Sequence, residues 1–219
     1  MKSAAGAHVV VCVHGLWMSG FATTFWRNRL RNAGQPAQAF SYPSTRAPLA
    51  VCVSRLEQFV DGLPQETVHF AGHSFGGVLI LRMLAARNWQ LGARRLGRVV
   101  MVGSPWAGSH VAASLAARRG RLGRMMLGEA LPEWLNAPRP AIPSQVEVGV
   151  IAGTRPYGAG RLLGPGLPLP NDGTVSVAET RVPGTRAHLC LAVSHTEMLF
   201  STKVAQQIVA FVSTGRFAT

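Results

Sequence analysis

The chain has 219 residues, 47% of them hydrophobic, which is enough to bury a substantial core in one domain spanning 1–219. Its formal net charge of +13 attracts nucleic acid, anionic lipid surfaces and acidic substrates alike, so charge alone identifies no partner. No apolar run approaches the roughly 18 residues of a membrane-spanning helix, and no export signal is recognisable, so we expect a soluble, cytoplasmic protein without a membrane span.

Short apolar segments alternate with helical patterns along the chain, which is typical of a mostly parallel sheet with helices on both faces. Apolar residues at helical spacing predict helices over 54–63 and 203–213, and the apolar segment 78–84 predicts a buried one. We expect a small cap or lid segment over 109–140 and a loop over 155–171, where glycine and proline are frequent. About six strands are predicted, over 8–13, 37–41, 67–71, 98–102, 146–152 and 187–193.

The third predicted strand ends in the pattern G-x-S-x-G, at Gly72, Ser74 and Gly76. The pentapeptide alone is weak evidence, but here a strand precedes it and an apolar helix follows it. That context is required for a nucleophile elbow, a strained turn that exposes the serine hydroxyl at the N-terminus of a helix. The pattern therefore predicts Ser74 as a nucleophile, with the N–H of Phe75 as one donor to an oxyanion.

A second oxyanion donor should come from the loop after the first strand, where His14-Gly15-Leu16-Trp17 follows an apolar run. A His-Gly pair at a strand end is also an ordinary turn sequence. In combination with the elbow, it indicates that Gly15 turns the backbone sharply and presents the N–H of Leu16.

The acid and the base follow from their order in the chain, which in this kind of site is Ser, then Asp or Glu, then His. Only two aspartates occur, and Asp61 precedes Ser74, which leaves Asp172, with Glu179 in reserve. The sequence Asn-Asp-Gly at 171–173 is also a favourable turn. Of the two later histidines, His188 lies within a strand, whereas His195 follows it at the edge where loops gather. We therefore expect His195 as the base, oriented by Asp172.

These motifs resemble those of the α/β-hydrolase superfamily, and most of all small bacterial lipase-like or esterase-like serine hydrolases. The similar segments are 13–17 (V-H-G-L-W), 72–77 (G-H-S-F-G-G), 171–175 (N-D-G-T-V) and 194–200 (S-H-T-E-M-L-F). The resemblance implies an α/β-hydrolase fold, a Ser74, Asp172, His195 triad, and Leu16 and Phe75 as oxyanion donors. The chain differs from larger members of the superfamily because it has room for only about six strands and has no long lid domain.

The function predicted from the sequence is hydrolysis of a small acyl ester through an acyl-enzyme on Ser74. The candidates to line the acyl pocket are Trp17, Phe75, Met198, Leu199 and the segment 125–135, although large apolar residues are often core residues instead. An acyl-thioesterase is the alternative, since arginines attract the phosphates of an acyl-CoA. A non-catalytic binding protein on the same fold is an alternative of another class.

We expect no cofactor, because a triad supplies nucleophile, base and electrostatics itself, and no metal, because the carboxylates are few and the three cysteines lack zinc spacing. The cysteines are expected to be buried thiols. The basic stretches 94–98 and 118–124 accompany no nucleic-acid-binding motif, so we expect solvated surface and no specific nucleic-acid partner.

Overall fold

One six-stranded sheet forms the centre of the computed structural model, which describes residues 8–86, 95–158 and 166–218 apart from the side chains of 118, 119, 123 and 124. The strand order is β2-β1-β3-β4-β5-β6, and every neighbouring pair is parallel. The six predicted strands are confirmed, with bounds that differ by a few residues. They are β1 His8–Val13, β2 Ala37–Phe40, β3 Thr67–His73, β4 Arg95–Val102, β5 Val148–Gly153 and β6 Ala187–Leu191.

Helices cover both faces of the sheet, as a parallel sheet with two apolar faces requires. The helices with described bounds are α1 Thr24–Asn32, α2 Leu49–Asp61, α3 Phe75–Ala86, α4 His110–Leu127, α5 Ala130–Asn136 and α6 Thr202–Thr214. Alternate residues of β1 pack on opposite sides: Val9 and Val11 belong to the core with α2, α3, α4 and α5, and Val10 belongs to the core with α1 and α6.

The predicted helices all occur, but α2 begins five residues before the predicted start and α3 begins three residues before it. The helix α1 was not predicted. Only Trp26 and Leu30 among its nine residues are buried, so its apolar stripe is too narrow to stand out between polar residues.

The segment after β4 contains α4, with non-helical backbone at Gly120, and the short helix α5. Its ends are fixed to the rest of the fold. The hydroxyl of Ser109 accepts a hydrogen bond from Ala112 N at the start of α4, and Glu133 on α5 accepts one from Leu49 N at the start of α2. Such capping satisfies backbone donors that a helix leaves free.

Within the described ranges, no helix combines the length and apolar character needed to span a bilayer.

Of the basic stretches, Arg95 and Arg121 are exposed, whereas Arg98 pairs with Glu147 at 2.6 Å. Arg94 and the side chains of 118, 119 and 124 lie outside the described residues. Of the three cysteines, two are buried as expected, but Cys190, on the edge strand β6, is exposed.

Candidate active site

Ser74 occupies a tight turn between β3 and α3, with a φ of 52° that non-glycine residues rarely adopt. Its N–H is held by Val102 O at 2.8 Å. The flanking glycines are required by contact distance: a Cβ on Gly72 would lie 2.5 Å from the backbone of Gly77, and one on Gly76 would lie 2.5 Å from Val13 O. The local geometry is therefore that of the predicted elbow.

Asp172 and His195 form a buried pair, with Nδ1 of the imidazole 2.7 Å from Oδ2 of the carboxylate. The other carboxylate oxygen, Oδ1, accepts hydrogen bonds from the N–H groups of Thr174 and Val175, at 2.9 and 2.7 Å. The backbone also joins the two residues, because His195 N donates to Asp172 O at 2.8 Å. The carboxylate is thus fixed by three donors, and Nδ1 carries the proton that it shares with Asp172.

The other candidates for the acid and the base, Glu179 and His188, make different contacts. Glu179, the reserve acid, accepts hydrogen bonds from the backbone N of His110 at the start of α4 and from Ser176 N. His188 lies on β6, and its Nε2 is 2.9 Å from the hydroxyl of Thr180. Of the carboxylates named as candidate acids, the structure brings only Asp172 to His195.

The carboxyl ends of the parallel strands explain why these residues meet. Ser74 follows β3, while Asp172 and His195 lie on the segments that follow β5 and β6. Between them, Gly103 directly follows β4, with a φ of 58°, and an added Cβ there would lie 3.2 Å from both Asp172 Oδ2 and His195 Nδ1. Sequence reasoning missed Gly103, since a glycine after a strand usually marks only a turn.

His73 supports the loop that carries His195. Its Nε2–H donates to the backbone O of His195 at 3.0 Å, and the two rings are 4.7 Å apart. Burial lowers the pKa of His73 to about 3, so the ring stays neutral and Nδ1 is a bare acceptor. That Nδ1 has no hydrogen-bond partner among the described residues.

The loop after β1 is fixed by His14 and Tyr42. Tyr42 N donates to Nε2 of His14 at 3.2 Å, so Nδ1 of the ring donates to Gly15 O at 2.8 Å. The hydroxyl of Tyr42 donates to His14 O, and the two rings stack at 4.5 Å. Burial lowers the pKa of His14, which keeps the ring neutral. A Cβ on Gly15 would be 3.0 Å from the Cβ of Ser74, so this loop lies directly against the elbow.

A cavity of about 200 Å³ opens beside Ser74 and His195, and Leu16, Phe75 and Trp17 also line it. No lysine, arginine, aspartate or glutamate is among the described residues that line it. Most of the wall is apolar, and a large part of it comes from the segment after β4. The lining residues from this segment are Pro105, Val111, Ala112, Leu115, Leu127 and Leu131. Of these, the sequence analysis named as pocket candidates only Leu127 and Leu131, within the range 125–135.

The expectation that Met198 and Leu199 line the pocket is wrong. Both are buried in the core that α1 and α6 cover, and neither borders the cavity. They belong to the 3₁₀ helix Glu197–Leu199, which turns their side chains inward after His195. The thioether of Met198 packs beneath Gly103, and its backbone O accepts a hydrogen bond from Trp26 Nε1 at 2.9 Å. Their role is to support the loop of His195 from below.

Among the described residues, no group of three or more His, Cys, Asp or Glu side chains is placed to hold a metal ion.

Residues 10–213 match the model of the alpha/beta hydrolase family. The chain belongs to this family. No curated protein matches it. Solved structures of a lipase and of carboxylesterases resemble it in fold, at sequence identities of 17–21%.

Three of these structures illustrate the likeness. A lipase of Bacillus licheniformis, BlEst2 in its mature form, is 18% identical, with a TM-score of 0.65 over 94% of this chain and 90% of its own. The metagenomic carboxyl esterase MGS0156 is 21% identical, with a TM-score of 0.62 over 88% of this chain and 65% of its own. The carboxylesterase CesB of Bacillus subtilis is 17% identical, with a TM-score of 0.54 over 97% of this chain and 86% of its own.

Proposed function

We propose that this alpha/beta hydrolase is a serine esterase that cleaves small carboxylic esters with an apolar acyl group. The observation that supports this most is that Ser74 and His195 line one apolar cavity while His195 donates to the buried Asp172. Catalysis by such a set needs a nucleophile, a base within reach of it, and a group that orients the base.

In the proposed reaction, the hydroxyl oxygen of Ser74 attacks the ester carbonyl carbon and its proton passes to Nε2 of His195. Asp172 holds the Nδ1–H and stabilises the imidazolium that forms. The carbonyl oxygen becomes an oxyanion, which accepts hydrogen bonds from the N–H groups of Leu16 and Phe75. When the carbon–oxygen bond breaks, the alcohol leaves with the proton from His195, and the acyl group remains on Ser74.

Water then completes the cycle. His195 takes a proton from the water as it attacks the acyl carbon, and returns it to Ser74 as the carboxylic acid leaves. The apolar wall formed by Ala112, Leu115 and Leu131 suits a hydrocarbon acyl chain, because burial of each methylene contributes about 0.8 kcal/mol. The described lining has no lysine or arginine, but the phosphates of an acyl-CoA would lie outside the cavity, so the substrate panel decides between an ester and a thioester.

A panel of aryl esters and acyl-CoA thioesters of equal acyl length tests the proposal, together with labelling by a fluorophosphonate. We expect ester turnover, a label that maps to Ser74 by mass spectrometry, and loss of both in Ser74→Ala. Ser54→Ala, on the exposed side of α2, should retain both. Turnover that persists in Ser74→Ala would refute the mechanism. A strong, salt-sensitive preference for the thioester would show that the substrate is a thioester and not an ester. Ligand binding without turnover would indicate a binding protein.

A further inference from the structure

Four large apolar side chains project into solvent from two segments, the loop after β1 and the C-terminal half of α4. We name Trp17, Phe21, Leu122 and Met125 the apolar rim; they are 58%, 81%, 53% and 71% exposed. Single exposed apolar side chains are ordinary on protein surfaces, but several on two segments that a hydrogen bond joins beside a cavity are not. Four of the eight large apolar side chains that are exposed in the described part of the chain belong to this rim.

Hydrogen bonding and helical spacing bring the rim together. Trp17 lines the cavity, and its Nε1 donates to Met126 O at 2.8 Å, so the indole lies against the C-terminal half of α4. Leu122 and Met125 are three residues apart on that half, and therefore lie on the same side of the helix. Phe21 follows Trp17 by four residues on the same loop, so their Cα atoms are at most about 14 Å apart.

The backbone at Trp17 is held in a conformation that its residue type disfavours. Its φ is 56°, and of the described non-glycine residues only Ser74 shares a positive φ. Such conformations persist where the surrounding structure imposes them, and they cluster at functional sites. Here the strained residue keeps an indole more than half exposed above the cavity.

Unpaired positive charge borders the rim. Arg121 is exposed beside Leu122 on α4. Arg46 is also exposed, and it follows Thr45, whose backbone packs against Gly128 just beyond the end of α4. Neither arginine forms an ion pair with another described residue. Apolar and aromatic side chains flanked by arginine are the composition of surfaces that lie in the headgroup region of anionic bilayers.

We propose that the apolar rim, with Arg46 and Arg121, docks the protein on an anionic lipid surface, so that the cavity entrance faces the bilayer. The rim enters the interface, where tryptophan is preferred, and the arginines contact lipid phosphates. An ester substrate then enters from the lipid side. The docking itself is independent of the proposed esterase activity, whereas the route of the substrate rests on it.

Sedimentation with lipid vesicles tests the docking, using the protein and its Ser74→Ala variant. We expect binding to vesicles that contain phosphatidylglycerol, weaker binding to pure phosphatidylcholine, and a loss of binding as salt screens the charges. Phe21→Ser with Met125→Ser should weaken binding by tenfold or more, because two apolar groups no longer enter the interface. Arg46→Ser with Arg121→Ser should weaken it by about tenfold and flatten its salt dependence.

Two control variants match these changes. Phe200→Ser removes an aromatic side chain that is 62% exposed but borders a different cleft, with Arg155 and Glu197. Arg216→Ser removes an exposed arginine just beyond the end of α6, at the opposite edge of the sheet. Both controls should bind anionic vesicles as the unmodified protein does.

Activity measurements separate the docking from the esterase proposal. The Phe21 and Met125 variant should hydrolyse a water-soluble short ester at the unmodified rate but lose most hydrolysis of an ester embedded in anionic vesicles. Equal vesicle binding by the rim variants and the controls would overturn the docking proposal, as would no preference for anionic vesicles. If the unmodified protein binds anionic vesicles but turns over no ester, docking stands and the esterase proposal fails.

Discussion

Replacing Asp172 by asparagine changes one atom at the centre of the proposed triad. In the native site, Oδ1 accepts two backbone N–H groups and Oδ2 accepts Nδ1–H of His195. An asparagine must keep its amide oxygen toward the two backbone donors, because an NH₂ group there would face them donor to donor. Its NH₂ group then lies where Oδ2 was, 2.7 Å from Nδ1.

That arrangement selects the wrong tautomer of His195. The amide donates to Nδ1, so the ring proton moves to Nε2, which can no longer accept the proton of Ser74. In a serine protease with the same arrangement, this change lowers kcat about 10⁴-fold. We expect a loss of similar size in Asp172→Asn, equivalent to about 5.5 kcal/mol of activation free energy.

The assay is steady-state hydrolysis of a soluble aryl ester, with thermal unfolding measured on the same samples. Asp61→Asn changes the only other aspartate, at the exposed end of α2, and should retain full kcat. Mass spectrometry must confirm that the new asparagine, which precedes Gly173, has not deamidated to aspartate. A folded, intact Asp172→Asn protein with kcat within tenfold of the unmodified protein would refute the assignment of Asp172.

Three further changes test the pocket, the elbow and the buried histidines. Ala112→Leu adds about three carbons inside the cavity, which take the place of about three methylenes of an acyl chain that fills it. At about 0.8 kcal/mol per methylene, kcat/KM for that ester should fall about 60-fold. Ala113→Leu, on the exposed side of α4, should leave the chain-length profile unchanged. Gly72→Ala should lower the unfolding free energy by about 1–3 kcal/mol and reduce Tm, since its Cβ meets backbone, whereas Gly62→Ala, with 3.6 Å to its nearest atoms, should not reduce it. Burial, with the nearby charges of a neighbouring histidine and arginine, lowers the pKa of His69 to about 4. The unfolded chain therefore binds a proton at this ring that the folded protein does not. Because of this, the free energy of unfolding falls as the pH drops from about 6.5 toward 4. His69→Gln, which keeps an acceptor, should flatten this fall by up to about 1.4 kcal/mol per pH unit, and an unchanged slope in chemical unfolding would contradict the pKa shift.

The sheet could be predicted from the sequence because its four inner strands, β1, β3, β4 and β5, are short, largely apolar on both faces, and contain β-branched residues. Helix α1 could not, because its burial depends on Trp26 reaching Met198 across the fold. The elbow was recognisable because backbone approaches Gly72 and Gly76 too closely for any Cβ. This local requirement for glycine appears in the sequence as a short motif.

The pocket was the least predictable part, because side-chain direction is not determined by distance along the chain. Met198 is three residues from His195 yet points into the core, since a 3₁₀ turn intervenes. Ala112 and Leu115 lie far from every motif, and reach Ser74 only because α4 returns over the carboxyl edge of the sheet. The support that His73 gives to His195 O depends on the same long-range closure.

The hydrogen bond from Trp17 Nε1 to Met126 O joins the loop after β1 to the C-terminal half of α4. Trp17 is the residue directly after Leu16, whose N–H we propose as an oxyanion donor, so one peptide unit and one indole connect that amide to the helix. Any displacement of the end of α4 must either break that bond or pull on the backbone at residue 16. The width of the entrance and the alignment of that amide are therefore mechanically linked.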